Sequence, residues 1–410
     1  MILLLQVAVI LIVSRIVRAV FVRFHQPAVI GEMVAGLMLG PSLFGLLLPG
    51  SFAALFPAAT LPNLNALSEI GLILFMFVVG LRLRSESTQS MRGIVIVTSA
   101  TSIIVPFVLG AASATIVHAR LAPPGIDLLP FSFFIGAAMS ITAFPVLARI
   151  LFERNLFNTF VGRVSIACAA FNDVAGWLIL AGVVTLVHSE NPQTLGLRVV
   201  MLAAYLLVMQ FAVRPVLLRM AARPGRDFGT GADDLTTVLL VMLLSAIATE
   251  RLGVHPLFGA FYAGLMMPRG AKLEQICVEQ VLPLTQALLL PLFFAFTGLR
   301  TQVALIDSWP LWRDALMFLG VAIAGKAFAS AFAARAMGMG WRHASMLGIL
   351  LNTRGLIELV ILNVGLDLGI LSPVVFSMLV LMALVTTFMA SPLLAWIQPP
   401  AARTAVAEVA

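Results

Sequence analysis

The sequence predicts an all-α membrane protein of about thirteen spanning helices, built as two inverted six-helix repeats with a linker helix between them. Three observations carry this. Apolar residues make up 61% and charged residues 10% of the chain, where soluble domains sit near 45–50% and about 25%. Mean hydropathy is +1.08, and runs of about 20 apolar residues, enough to cross a hydrocarbon core, recur along the whole length. The third observation is an internal similarity between the two halves.

Taken in order, the apolar runs place segments near 3–24, 28–47, 65–83, 91–118, 131–152, 160–187, 196–221, 234–252, 256–268, 281–300, 312–336, 343–368 and 372–397. The first, opening MILLLQVAVILIV, has no basic residues ahead of it. Its arginines, Arg15, Arg18 and Arg23, follow the apolar stretch, so it is expected to span rather than to be removed as a signal peptide. The ninth is short and reads as tilted or partly re-entrant. The whole of 1–397 is expected to form one membrane domain, with repeat one at 1–187, the linker helix at 196–221 and repeat two at 234–397. Residues 398–410 are read as a short tail.

Residues 27–41 read PAVIGEMVAGLMLGP and 256–268 read PLFGAFYAGLMMP, which aligns Gly31, Ala35 and Gly36 with Gly259, Ala263 and Gly264. Further on, LFMFVVGLR at 74–82 matches LFFAFTGLR at 292–300. Both offsets equal seven segments. An odd offset inverts the second copy in the membrane, the architecture of many secondary transporters, whose sites lie between the repeats near the midplane.

The net charge of +7 does not mark a nucleic-acid binder, because the basic residues stand at segment ends. Most fall after odd-numbered segments, among them Arg82, Arg84, Arg92, Arg149, Arg154, Arg163, Arg214, Arg219, Arg223, Arg226, Arg269, Lys272, Arg335, Arg342 and Arg403. Arg120, Arg198, Arg251, Arg300 and Arg313 fall on the other side. This bias places the N-terminus outside and the C-terminus in the cytoplasm. Cys168 and Cys277 form no metal or disulfide pattern and read as small packing residues.

Polar groups inside the membrane are the candidates for function. Asp173, in FNDVAGWLIL, is the only charge between Arg163 and Glu190. A carboxylate at that depth costs roughly 2.5–3.5 kcal/mol. With Asn172 as an uncharged oxygen ligand beside it, such a group can hold either a proton or a small cation. The fifth segment carries SITAFPVLARI at 140–150, where Pro145 lacks a donor and releases a carbonyl one turn earlier. Ser140 and Thr142 add hydroxyls, and a break there would expose oxygen ligands. Its repeat partner, LLNTRGLIELV at 350–360, can loosen at Asn352, Thr353 and Gly355. Small residues around the aspartate (Ser165, Ala169, Ala170, Ala175, Gly176) allow close helix approach.

Two readings stand open for Lys326 in LGVAIAGKAFASAF. It pairs with Asp173 or carries a proton, or it is a fixed cation tying the eleventh segment to fifth-segment carbonyls. Arg354 and Glu358, spaced i,i+4, read first as a structural pair. Glu32 and Glu69 read as helix-end or entrance residues, and His25 and His255 as loop residues.

These motifs together, SITAFPVLARIL, then the Asn172–Asp173 pair, the membrane lysine and LNTRGLIELVILNVGLDLGILS, resemble the monovalent cation:proton antiporter-2 family. Within it the chain looks most like bacterial Kef-type and GerN-like antiporters and plant cation/proton exchangers. The resemblance runs from GEMVAGLMLGPS to the last segment. It implies a thirteen-helix sodium/proton-antiporter-like fold with broken crossing helices, a core domain moving against a dimerisation domain, and exchange of Na+ or K+ for H+ in a bacterial cell membrane. It maps the essential aspartate to Asp173, the preceding polar residue to Asn172, the lysine to Lys326 and the helix hydroxyl to Thr142. Electrogenic relatives carry two adjacent aspartates. Asn172 in the first place leaves one carboxylate, so electroneutral exchange is expected. Kef-type systems carry a cytoplasmic nucleotide-binding domain and plant exchangers a long soluble tail; the sequence stops at residue 410, so the resemblance supports no inference of gating by nucleotide or glutathione. No cofactor and no covalent catalysis are expected, only Na+ or K+, H+, lipid and a second copy of the chain as partners. A ligand-gated potassium channel on the same scaffold and a sodium-coupled organic-anion symporter are the competing readings.

Overall fold

The structure is a computed structural model that describes residues 2–24, 26–82, 91–157, 159–188, 192–222, 232–252, 255–268, 279 and 281–397. The expectations for His25, Cys277, Arg84, Arg223, Arg226, Arg269, Lys272 and the tail 398–410 with Arg403 lie outside these residues.

Among the described residues every regular element is helical. Apart from short helical pieces at Phe44–Leu47, Pro49–Leu55, Ala58–Thr60 and Val303–Leu305, they are in chain order α1 (Ile2–Arg23), α2 (Ala28–Leu39), α3 (Leu61–Arg82), α4 (Arg92–Leu121), α5 (Leu128–Ser140), α6 (Phe144–Glu153) and α7 (Phe160–His188). There follow α8 (Pro192–Val208, running through a π-turn at Met209–Val213 into Arg214–Ala221), α9 (Ala232–Arg251) and α10 (Pro256–Met266). Next comes α11 (Leu282–Leu284, a π-turn at Thr285–Leu289, then Leu290–Arg300). Then come α12 (Trp309–Ala322, a π-turn at Ile323–Phe328, then Ala329–Ala336), α13 (Trp341–Leu351), α14 (Leu356–Asp367) and α15 (Pro373–Ile397). Each predicted stretch is occupied by helix. Nine spans among the described residues are long and apolar enough to cross a membrane unaided. The fifth and twelfth stretches are not among them because each is split near its middle, into α5/α6 and α13/α14. The eighth, α9, and the ninth, α10, which has 11 residues, are not among them either.

Pro145 works differently from the sequence reading. It does not release a carbonyl inside a continuous helix. It stands second in α6, in the first helical turn, where its missing N–H has no intrahelical partner to lose. The break lies before it, with Ile141 at φ −82, ψ 142.

The chain forms two compact units, each drawn from both halves of the sequence. The first comprises Met1–Val7, Phe56–Arg84 and Ala181–Phe296; the second comprises Ala8–Leu55, Ser85–Leu180 and Thr297–Ala410. In the first unit α10 lies between α3 and α9. Tyr205 on α8 hydrogen-bonds Ser245 on α9 at 2.6 Å, and Ser245 Oγ donates to Gly259 O of α10 at 2.7 Å. In the second unit, α6, α7, α13 and α15 share a hydrophobic cluster of Val146, Leu147, Ile150, Val164, Leu347, Leu350 and Leu394. Large apolar side chains point outward along the long helices, such as Leu4, Phe211 and Phe332. That is how a chain surrounded by lipid rather than water is patterned.

The glycines shared by the two copies of the internal similarity make equivalent contacts. In the second unit, a Cβ on Gly298 would lie 2.0 Å from the carbonyl carbon of Gly36. In the first, a Cβ on Gly264 would lie 2.2 Å from Phe77 O, and one on Gly80 2.1 Å from Phe261 O. The 27–41 segment thus touches the 292–300 segment backbone-to-backbone, and the 256–268 segment touches the 74–82 segment in the same way. Gly298→Ala must push two backbones apart, a change that costs about 1–3 kcal/mol in well-packed interiors. A lowered melting temperature is expected for the solubilised protein. Gly50→Ala, with nothing within 4 Å of the added carbon, is the control, and equal melting of the two variants would refute the close-contact argument.

Candidate cation site

The site lies in the second unit, where the breaks of the two split helices cross. A helix that ends in the membrane leaves its last four carbonyls without helical partners, and no water replaces them in the hydrocarbon region. At the end of α5 every one is accounted for. The Ser140 hydroxyl donates to Ala137 O at 2.8 Å. Arg354 donates through Nη1 to Ala138 O at 3.0 Å and through Nη2 to Met139 O at 2.8 Å. Lys326 Nζ donates to Ser140 O. Two protein cations therefore occupy the negative end of α5. The carbonyls that the sequence offered as cation ligands are already taken.

The second break runs through Asn352, Thr353, Arg354 and Gly355. Ala143 N donates to Thr353 O at 3.1 Å, so the two extended stretches are joined by a backbone hydrogen bond. Thr142 Oγ1 adds a bond to Leu351 O at 3.2 Å. The Arg354 backbone is held on both sides by Thr387 of α15, whose Oγ1 accepts from Arg354 N at 2.8 Å and donates to Arg354 O at 2.6 Å.

Asp173 comes from α7 and is wholly buried. It faces the backbone amide of Phe144, the first residue of α6, and Lys326. Neither carboxylate oxygen closes a hydrogen bond. The positive N-terminal end of a half-helix thus confronts a carboxylate with free lone pairs, an arrangement that suits a group alternating between a proton and a cation. Asn172 is buried beside it, and its Nδ2 donates to Thr142 Oγ1 at 3.0 Å and to Ser102 Oγ at 2.8 Å. Asn172 Oδ1 and Asn352 Oδ1 are buried without hydrogen-bond partners.

Of the two readings of Lys326, the geometry matches the tie between segments. Among the described residues no ion pair joins Lys326 to Asp173. Its ammonium bonds Ser140 O and, at 3.3 Å, Ser102 O. It stands in the π-turn of α12, a local rewinding frequent at functional sites. Arg354 and Glu358 form the expected i,i+4 pair at 2.9 Å, with side chains 0% and 1% exposed. Glu32 is buried near the start of α2, where it meets Arg18 of α1 at 3.7 Å. Glu69 lies inside α3 and accepts from Asn65 at 2.8 Å. His255 caps α10, its Nδ1 accepting from Leu257 N at 3.4 Å. Cys168 is buried with Sγ 3.8 Å from Val95 O.

Sequence reasoning missed the contribution of α4. Thr98, Ser102 and Pro106 recur every four residues and so share one face. Pro106 has no N–H, so the Ser102 carbonyl loses its helical partner; Lys326 takes it instead. A proline four residues after a buried serine was the available signal. A second cluster also went unread. Arg300 donates to Asn363 Oδ1 at 3.0 Å and to Asp367 Oδ1 at 2.5 Å, and Asn363 Nδ2 donates to Thr297 Oγ1 at 3.0 Å.

The model of the sodium/hydrogen exchanger transmembrane family matches residues 8–397. The chain belongs to that family. Among its family relatives, it is 40% identical to the Na+/H+ antiporter NhaS4 of Synechocystis over 96% of both chains. It is 34% identical to cation/H+ antiporter 18 of Arabidopsis thaliana, covering 97% of this chain and 49% of the plant protein. It is 32% identical to K+/H+ antiporter 1 of Saccharomyces cerevisiae, covering 98% of this chain and 48% of that protein. The chain therefore spans about half the length of the plant and yeast family members. Its fold is that of the sodium proton antiporter MjNhaP1 from Methanocaldococcus jannaschii, with a TM-score of 0.67 over 97% of both chains at 15% identity.

Proposed function

We propose that this multi-pass membrane protein is a secondary antiporter exchanging a monovalent cation, Na+ or K+, for protons by alternating access, with cation and proton competing for Asp173. The observation that carries the proposal is a buried carboxylate with both oxygens unbonded, set against the first amide of a half-helix, in a chain of the exchanger family. Asp173 and Asn172 supply side-chain oxygens, Thr142 orients Asn172, and Ser140 contributes to the structure of the break. In this reading Lys326, tied to the Ser140 and Ser102 carbonyls, keeps its proton through the cycle and does not carry it. One carboxylate then takes either one proton or one monovalent cation. The loaded site carries the same charge in both directions, so exchange is electroneutral. The same proposal includes a bacterial cell membrane, an external N-terminus, a cytoplasmic C-terminus and a homodimer. The activity is transport, with no covalent step.

Purified protein in liposomes with an imposed pH gradient tests this. Na+, K+, Rb+ and Li+ are compared while internal pH is followed. Because protons and cations compete, lowering the pH should raise the apparent KM for the cation while the maximal rate is preserved at saturating cation. A pH effect on maximal rate alone would exclude competition at one carboxylate. An imposed membrane potential should leave the exchange rate unchanged; a potential-driven flux would refute one-for-one exchange.

A further inference from the structure

The orientation of the Asn172 amide follows from proton accounting. Its Nδ2 contacts two hydroxyl oxygens, Ser102 Oγ at 2.8 Å and Thr142 Oγ1 at 3.0 Å. A hydroxyl has one proton to give. Ser102 gives its proton to Ser99 O at 2.9 Å, and Thr142 gives its proton to Leu351 O at 3.2 Å. Toward Asn172 both hydroxyls can therefore only accept. The amide must turn its NH2 to them and its carbonyl oxygen away, and that oxygen is the one buried without a hydrogen-bond partner. The reverse orientation would set three acceptors face to face.

We infer that Ser102 is a positioning residue for cation binding: by accepting from Asn172 Nδ2 with a hydroxyl whose own proton is committed, it fixes Asn172 Oδ1 as a neutral oxygen ligand beside Asp173. The inference rests on the proposed exchange at Asp173 and adds to it a residue of α4 and a reason for asparagine at position 172. The same serine, through the carbonyl freed by Pro106, receives Lys326, so α4 holds both the ligand amide and the lysine. The hydroxyl function of Ser102 is separable from this carbonyl function, because substitution of the side chain leaves the backbone bond to Lys326 in place.

The test uses full-length protein, in liposomes for KM and maximal rate and in detergent for the rise in melting temperature on adding NaCl or KCl, a binding readout independent of transport. Ser102→Ala removes one of the two acceptors, so the cation KM is expected to rise roughly three- to tenfold, the scale of one hydrogen bond, with maximal rate retained. Ser102→Thr keeps the hydroxyl and should restore the wild-type KM. Should Ser102→Ala fail to fold, Ser102→Cys fills the place with a weak acceptor and should show the same KM rise. Asn172→Ala raises KM by itself, and the double variant Ser102→Ala/Asn172→Ala should be no worse than Asn172→Ala, because the serine acts through the amide. An unchanged KM in Ser102→Ala or Ser102→Cys, or effects of Ser102→Ala and Asn172→Ala that multiply, would overturn the inference. Failure of the underlying reading looks different: there Asp173→Asn still exchanges cations for protons, whatever Ser102 does.

Discussion

Asp173→Asn is expected to abolish cation-dependent proton movement, down to the level of liposomes without protein, while the protein folds and inserts as before. The amide is nearly the same size as the carboxylate but can neither release a proton nor offer a charge to a cation. Folding should not suffer, because the amide oxygen of asparagine can face the Phe144 N–H as the carboxylate does, and the Asp173 side chain closes no other hydrogen bond. Removing a buried charge recovers part of the roughly 2.5–3.5 kcal/mol that an ionised group costs at membrane depth. The mutant should therefore melt at or above the wild-type temperature, and the melting temperature should no longer respond to added Na+ or K+. Coupled exchange by the mutant would remove Asp173 from the mechanism.

Arg354→Ala should have the opposite character, a collapse of folding rather than of chemistry. Arg354 is fully buried and holds Glu358, Ala138 O and Met139 O together. Removing one partner of a buried ion pair costs about 3–5 kcal/mol, and each orphaned carbonyl adds about 1–3 kcal/mol. That sum is comparable to the whole stability of an ordinary domain, so little or no monodisperse protein should survive extraction. Glu358→Gln keeps an oxygen for Arg354 and leaves both carbonyls satisfied, so it should be much milder. If Arg354→Ala melted within about 1 kcal/mol of wild type, the capping of α5 by Arg354 would not be what holds the break.

The helices were legible in the sequence because in lipid the apolar run and the span are the same thing. The breaks were legible as well, from Pro145 in one and Asn352–Gly355 in the other. Where they begin was not, because proline is equally at home in a first helical turn as at a kink. Asp173 stood out by charge alone. Its surroundings were less readable, since the partners of Asn172 and Lys326 come from α4, the end of α5 and the break that follows it, far from both in the chain. Hydroxyls in an apolar helix also look the same whether they bond their own backbone, as Ser113 does to Gly110 O at 2.7 Å, or serve a neighbour as well, as Ser102 does. The two readings of Lys326 needed coordinates for the same reason. Periodicity says that the lysine is buried, but not which oxygen it meets.

The bond from Ala143 N to Thr353 O has a mechanical consequence. Together with the grips of Arg354 and Lys326 on the end of α5, it stitches four half-helices into one block around Asp173. A stroke that rearranged the site would have to tear buried bonds that nothing in the hydrocarbon replaces. A stroke that carries the block whole leaves every ligand distance as it was. In the proposed exchange the cation would then be held by the same oxygens whichever compartment it came from, and its intrinsic affinity at the site would be the same on the two faces. Such a carrier would have no preferred direction. The concentrations on either side alone decide which way it runs.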